Sequence, residues 1–162
     1  MTYLKEITIE ELKPYITLAF EGDAELLDTY HISNGSLEHC VDHTYSFLYE
    51  NSKDAVYKKD IKFYAVIYNG SPVGFTVVVF NDNIQPMFKN ELSSFGINIK
   101  MRKSCVLREW LGAVRKKLSD YYVVLWSKNE RAIRFFEMNN FSVYRETAYL
   151  NDKTKTLITT KA

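Results

Sequence analysis

The stretch Ile61 to Phe80, IKFYAVIYNGSPVGFTVVVF, constrains the fold more than any other part of the chain. Two runs rich in β-branched and aromatic residues flank Asn69, Gly70, Ser71 and Pro72. Such side chains favour extended backbone, and Asn-Gly readily takes the positive φ angles of a tight hairpin turn. The segment predicts an antiparallel hairpin whose register is set by that turn.

The chain before the hairpin reads as helical. TIEE at Thr8 to Glu11 fits a capping box, and Leu12, Tyr15, Ile16 and Phe20 then recur at helical spacing, with Pro14 near the first turn. A second helix is predicted after Ser36, with Leu37, Val41, Tyr45 and Leu48 on one face. Beyond a polar connection at Asn81 to Asn90, ELSSFGINIK predicts a strand on which Phe95, Ile97 and Ile99 alternate with Asn98 and Lys100. SCVLREWLGAVRKKL follows as a helix capped by Ser104, turning Val106, Trp110, Leu111 and Val114 to the core. YYVVLW reads as a buried strand, NERAIRFFEMNN as a short helix, and FSVYRETAYL with TKTLITTK as a closing pair of strands.

The predicted order is two helices, a hairpin, then strand, helix, strand, helix, strand, strand. The portion from Leu92 to Trp126 implies a parallel pair joined by a crossover, whereas the hairpin is antiparallel. The expected fold is α/β (α+β), with a mixed, mostly antiparallel central sheet and helices on both faces. With 162 residues, 46% hydrophobic and 25% charged, the chain is expected to form one domain over residues 1–162.

Charge narrows the partners. Lys+Arg 21 against Asp+Glu 20 leaves a formal net charge of +1, so no global field draws the protein to nucleic acid or anionic lipid. Abundant Tyr and Phe invite a base-stacking surface, but that normally accompanies a basic groove. Cys40 and Cys105 show neither a disulfide framework nor metal-knuckle spacing and read as free thiols. No apolar stretch reaches the roughly 20 residues of a membrane span, and the N-terminus carries no signal-peptide pattern. A soluble, cytoplasmic protein is expected, with no membrane partner and no nucleic acid.

The segment NERAIRFFEMNNF, Asn129 to Phe141, carries the functional clue. Asn129 is placed as an N-cap, Ala132, Phe135 and Phe136 as residues packing on the sheet, and Asn140 as the left-handed residue that ends the helix. This resembles the pattern Asn-x-x-Ala-x-x-Phe/Leu-Tyr-Glu/Lys-x-x-Gly-Phe of the GNAT superfamily of N-acetyltransferases, as Asn129, Ala132, Phe135, Phe136, Glu137, Asn140 and Phe141. Phe136 stands where the family has tyrosine, and Asn140 where it has glycine. The predicted element order extends the resemblance across most of the chain. The loops also resemble those of GNAT-like proteins encoded by bacteriophages.

The resemblance implies acyl-CoA, with acetyl-CoA as co-substrate, entering a gap where a fourth strand splays from a fifth. Its pantetheine arm would pair with the strand edge at Ile97, Asn98 and Ile99. Its pyrophosphate would lie on the amides opening the next helix, within Arg102, Lys103, Ser104, Cys105, Val106 and Leu107. Asn129 and Phe136 would be further cofactor contacts. The family's Arg/Gln-x-x-Gly-x-Gly/Ala here has Cys105 and Leu107 at the glycine positions, which would narrow the phosphate cradle. Phe136 has no proton for the departing thiolate, a role the family often gives to tyrosine.

The implied activity is N-acyl transfer to an unidentified primary amine. The alternative is a catalytically inactive GNAT-fold binding or structural module, and a homodimer is left open. A third reading, an unrelated mixed fold, would show fourth and fifth strands paired along their whole length. Glu91 is the candidate general base, with Ser93 and Ser94 able to carry a water; the bland alternative is a solvated strand end. His39, Cys40 and His43 lack the further ligands a metal needs, so no metal is assigned. His43 or His31 would border an acceptor pocket or be ordinary surface histidines. Cys105 is expected to be a packing residue.

Overall fold

The computed structural model describes residues 1–29, 34–53, 60–80, 90–118, 120–149 and 152–159. In chain order these form β1 (Thr2–Ile7), α1 (Lys13–Phe20), α2 (Ala24–Thr29), α3 (Leu37–Lys53), β2 (Asp60–Tyr68) and β3 (Ser71–Phe80). There follow β4 (Asn90–Ile97), α4 (Ser104–Lys117), β5 (Tyr121–Trp126), α5 (Glu130–Glu137), β6 (Phe141–Tyr149) and β7 (Asp152–Thr159). Short 3-10 turns at Ile9–Glu11 and Ile99–Met101 lead into α1 and α4.

The hairpin forms as the sequence predicts. Asn69 and Gly70 take φ of +49° and +83°, and β2 and β3 pair antiparallel from Tyr68 with Ser71 out to Asp60 with Phe80. Alternation along β2 then feeds two cores. Phe63, Ala65 and Ile67 face α1 and α3, while Tyr64 and Val66 face the layer of α4 and α5. The sheet runs β1-β2-β3-β4-β5-β7-β6, and among its described pairings β4 with β5 is parallel and the others antiparallel. The expected mixed sheet with helices on both faces is therefore present.

Several expectations need correction. The chain opens with a strand, β1, which pairs with β2 over Thr2 to Ile7. Its only buried residues are Thr2 and Ile7 at the two ends, so it carries no usable alternation. The TIEE motif caps a 3-10 turn instead of α1. There the Glu11 carboxylate accepts from the Thr8 amide (3.0 Å) and hydroxyl (2.9 Å). Helix α2 lies outside the predicted elements. Ser104 is the first residue of α4, not its cap; Lys103 holds the cap position and makes no side-chain capping bond. The strand predicted through Lys100 ends at Ile97, because Asn98 accepts from the Lys100 amide (3.0 Å) and turns the chain.

Two glycines let the layers meet at the end of β4. A Cβ on Gly74 would lie 1.9 Å from the Gly96 carbonyl oxygen, and one on Gly96 would lie 2.9 Å from Ala19 Cβ. Helix α1 therefore rests directly on β4, and Asn98 Nδ2 adds a bond to the Leu18 carbonyl (2.8 Å). On the other face Trp110 of α4 donates to Thr76 Oγ1 (2.9 Å), which satisfies both groups in a buried layer. Gly74→Ala should destabilise the protein by about 2–3 kcal/mol, as overpacking against backbone does. Denaturant unfolding measures this directly.

Candidate active site

Among the described residues, strands β4 and β5 pair only at Asn90 with Tyr121, Glu91 with Tyr122, and Leu92 with Val123. Beyond Leu92 they part, β4 remaining with β3 as far as Ile97 and β5 with β7 as far as Trp126. A bulge marks the parting. β3 Val77 faces Ser94 and Val78 faces Leu92, so Ser93 is the extra residue. A bulge bends a strand and interrupts its ladder, which turns β4 away from β5. The unrelated fold with fully paired fourth and fifth strands is excluded.

Aromatic side chains fill one side of this gap. Phe95 of β4 packs on Trp110 of α4 at 5.1 Å between ring centroids and on Phe136 of α5 at 5.7 Å, and Phe136 also meets Phe141 at 5.1 Å. Phe136 has no exposed surface. At this position the chain thus has a sealed core residue, unlike the expected cofactor contact. Asn129 caps α5 by accepting from the Ala132 amide (3.3 Å), and Asn140 ends that segment at φ +68°. These two local expectations hold.

The mouth of the gap is spanned by ion pairs. Arg102, on the β4 side, donates from Nη2 to Asp23 Oδ2 (2.7 Å) and from Nε to the Ile97 carbonyl (2.8 Å). Arg131, on the β5 side in α5, donates from Nη2 to both Asp23 oxygens (3.1 and 3.3 Å) and pairs through Nε with Glu25 (3.2 Å). The Asp23 side chain is 1% exposed and also accepts from the Leu26 amide (3.2 Å) at the start of α2. Burial alone would raise its pKa. The bond and charge of Arg102, the Leu26 amide and the charge of Arg131 outweigh burial and hold the carboxyl below its usual range. Arg102 is therefore a bridge with its charge largely answered, where the sequence suggested a guanidinium waiting for phosphate.

The start of α4 opens at the same mouth. Lys103, Ser104 and Cys105 are exposed, no acidic residue lies in the first turn, and the cap residue Lys103 makes no side-chain bond to the first amides. Unpartnered helix amides together with the helix dipole favour an anion. Val106 is buried and can offer only its amide; Leu107 packs against the core. Of the two residues at glycine positions, Cys105 is the one that stands at the surface, which corrects its reading as packing. Ile97 closes β4, while Asn98 and Ile99 belong to the turn after it.

Glu91 lies at the vertex, where its carboxylate accepts from the Tyr122 hydroxyl (3.2 Å). On α3, His39 and His43 are exposed whereas Cys40 points into the core, so the three do not converge. Among the described residues no group of three or more His, Cys, Asp or Glu side chains is placed to hold a metal. His31 and most of the Asn81 to Asn90 connection lie outside the described residues. Among the described residues no helix is long and apolar enough to cross a membrane.

Sequence reasoning missed Asp23, Arg131, Tyr122 and the Ser93 bulge. Asp23 had a local signal, an N-cap residue before AELL, but its partners lie far along the chain.

No protein-family model matches the chain, and no curated protein matches it by sequence. Solved structures do match its fold. An acetyltransferase from Thermus thermophilus superposes with a TM-score of 0.67 at 16% identity, covering 98% of this chain and 96% of that one. The PaiA N-acetyltransferase from Thermoplasma acidophilum in complex with coenzyme A gives 0.63 at 17%, covering 98% and 99%. The aminoglycoside acetyltransferase AAC(6')-Ib, in complex with coenzyme A and kanamycin, gives 0.67 at 13%, covering 99% and 95%. The chain has the GNAT acetyltransferase fold.

Asp23→Asn removes the charge that answers both arginines. It should cost about 3 kcal/mol, the scale for breaking a buried ion pair from one side. Because the Asp23 pKa is lowered on folding, its stabilisation is complete above about pH 4 and is lost as pH falls through the lowered value. Urea midpoints measured from about pH 7 to about pH 2.5 should therefore fall less steeply in Asp23→Asn than in the wild type.

Proposed function

We propose that the protein transfers an acyl group, acetyl in the first instance, from acyl-CoA to a primary amine by direct attack. The observation that carries this reading is the gap that opens past Leu92, with a bulge at its vertex and the uncapped start of α4 at its mouth. An extended amide-bearing arm can add to the free edge of β4 between Ser93 and Ile97 as another strand would. One acceptor on that edge, the Ile97 carbonyl, is already shared with Arg102. The pyrophosphate would rest on the amides of Ser104, Cys105 and Val106, with Lys103 beside them.

Bound acyl-CoA would supply the activated thioester. The chain's part is to hold that carbonyl at the vertex, where backbone donors freed by the bulge can stabilise the developing oxyanion. Glu91 of β4 is the candidate we assign to take the proton of the attacking amine. Phe136 offers no proton to the thiolate, so that proton comes from elsewhere or from solvent. The amine's identity is open: spermidine and aminoglycoside acetyltransferases both share this fold.

A second reading, an inactive module of the same fold, is favoured by one arrangement. Asp23 answers the charge of Arg102, and Cys105 adds a side chain where the cradle must be bare. Calorimetric titration with acetyl-CoA and with free CoA separates the two. Binding in the micromolar range, about −8 kcal/mol, is expected for the first, and no heat at millimolar ligand for the second. Lys103→Asp sharpens the test, since a capping aspartate fills the amides the phosphates would use. It should stabilise α4 by up to about 1 kcal/mol while weakening CoA binding at least tenfold. Arg102 variants are less informative, because they also break the bridge to Asp23.

A further inference from the structure

Beside the Asp23–Arg102 bridge lies a cleft of about 810 Å³ that the acyl-transfer reading does not use. Its walls are the C-terminal end of α1 and the turn after β4, and the β2–β3 turn closes it. Three contacts hold the two walls together. Asn98 Nδ2 donates to the Leu18 carbonyl (2.8 Å), Arg102 pairs with Asp23 (2.7 Å), and a Cβ on Gly22 would lie 3.7 Å from Ile99 Cγ2. Gly22 takes φ +77°, the left-handed bend that carries the chain from α1 to Asp23. Glu21 and Lys100 line the cleft from opposite walls, each two residues before a member of the Asp23–Arg102 pair. Both are exposed, and neither side chain has an ion-pair or hydrogen-bond partner among the described residues, the other included. Leu18, Val73 and Met101 give the cleft an apolar lining, while Tyr68 and Ser71, register partners at the hairpin turn, add hydroxyls.

We propose that this cleft is a second ligand site, for a small zwitterion with one ammonium, one carboxylate and an apolar body, as in an apolar α-amino acid. The ammonium goes to Glu21, the carboxylate to Lys100, and the body onto Leu18, Val73 and Met101. Charge sets the class of ligand. A simple cation would answer Glu21 but face the Lys100 ammonium, and a simple anion would answer Lys100 but face Glu21. A molecule with both charges satisfies both walls. Size agrees, since small-molecule sites run from roughly 300 to 1,000 Å³. The contacts that hold the walls are present before any ligand arrives, so binding has little ordering to impose. Position separates the cleft from the place assigned to acyl transfer. From Ser93 to Ile97 the strand rises about 13 Å, and the cleft begins beyond it at Asn98. The site stands on its own residues, whether or not acyl transfer occurs at the gap.

The test titrates L-leucine, L-methionine and L-valine into isotope-labelled protein and follows the backbone amides by NMR. At least one should saturate, with Kd of about 1 mM, and shift Gly22, Ser71 and Lys100. Leucinamide, which lacks the carboxylate, and isocaproate, which lacks the amine, should each bind about tenfold more weakly than leucine. Glu21→Lys and Lys100→Glu change exposed positions, so the fold should persist while each abolishes the shifts. The double exchange should restore them, because a zwitterion can turn end for end to meet reversed charges. No saturable shift from any of the three amino acids at about 10 mM would overturn the proposal. Equal binding by a one-charge analogue would overturn it as well, as would a double variant that binds no better than the single ones.

Discussion

One buried carboxylate answers two guanidinium groups from opposite sides of a gap in the sheet. Asp23 alone would be costly to bury, because a carboxylate leaving water loses more than one hydrogen bond restores. Arg102 and Arg131 make it tolerable, and each remains partly in contact with solvent. The result ties together three segments that no local pattern connects: the link between α1 and α2, the turn after β4, and the first turn of α5. That shared contact links the start of α2, through the Asp23 bond to the Leu26 amide, to Arg102 just before α4 and to Arg131 in α5.

The sheet has two further devices for keeping the gap open. The Ser93 bulge turns β4 off its path at the point where pairing with β5 stops. Phe95, Trp110 and Phe136 then fill one side of the opening with rings at or near the preferred edge or tilted geometry. A strand edge that stays unpaired within a sheet is a liability unless something is meant to cover it. Here it lies inside the molecule beside a helix start that favours anions, which is why a phosphate-bearing ligand with an amide-rich arm suits the place.

What the sequence disclosed was local. Asn69–Gly70, Asn129 and Asn140 could be read because each residue's own backbone preference or short-range bond sets the structure there. The packing of Phe136 on the sheet and the mixed pairing followed from periodicity and order. Failures came where distant partners decide. β1 has no clear alternation because its role is to complete an edge against β2, and β4 stops at Ile97 because Asn98 bonds back to Lys100 and across to Leu18. Arg102 matched a family motif by position, yet its charge is spent on a residue 79 positions away. In the sequence Tyr122 is only one more member of an apolar strand, since register with Glu91 emerges once the strands are paired.

The contact of α1 on β4 has a mechanical meaning. With no side chain on Gly96 to hold them apart, and with Asn98 bonded to Leu18, α1 and the β4 edge form one leaf. β5, β7 and β6 with α5 form the other. Among the described residues, hydrogen bonding between these leaves within the sheet runs from Asn90 to Leu92, and the Asp23 ion pairs also join them. The two leaves are thus joined at three places: by the β4–β5 bonds at the spine, by Phe95 against Phe136 across the gap, and by the Asp23 ion pairs at the mouth.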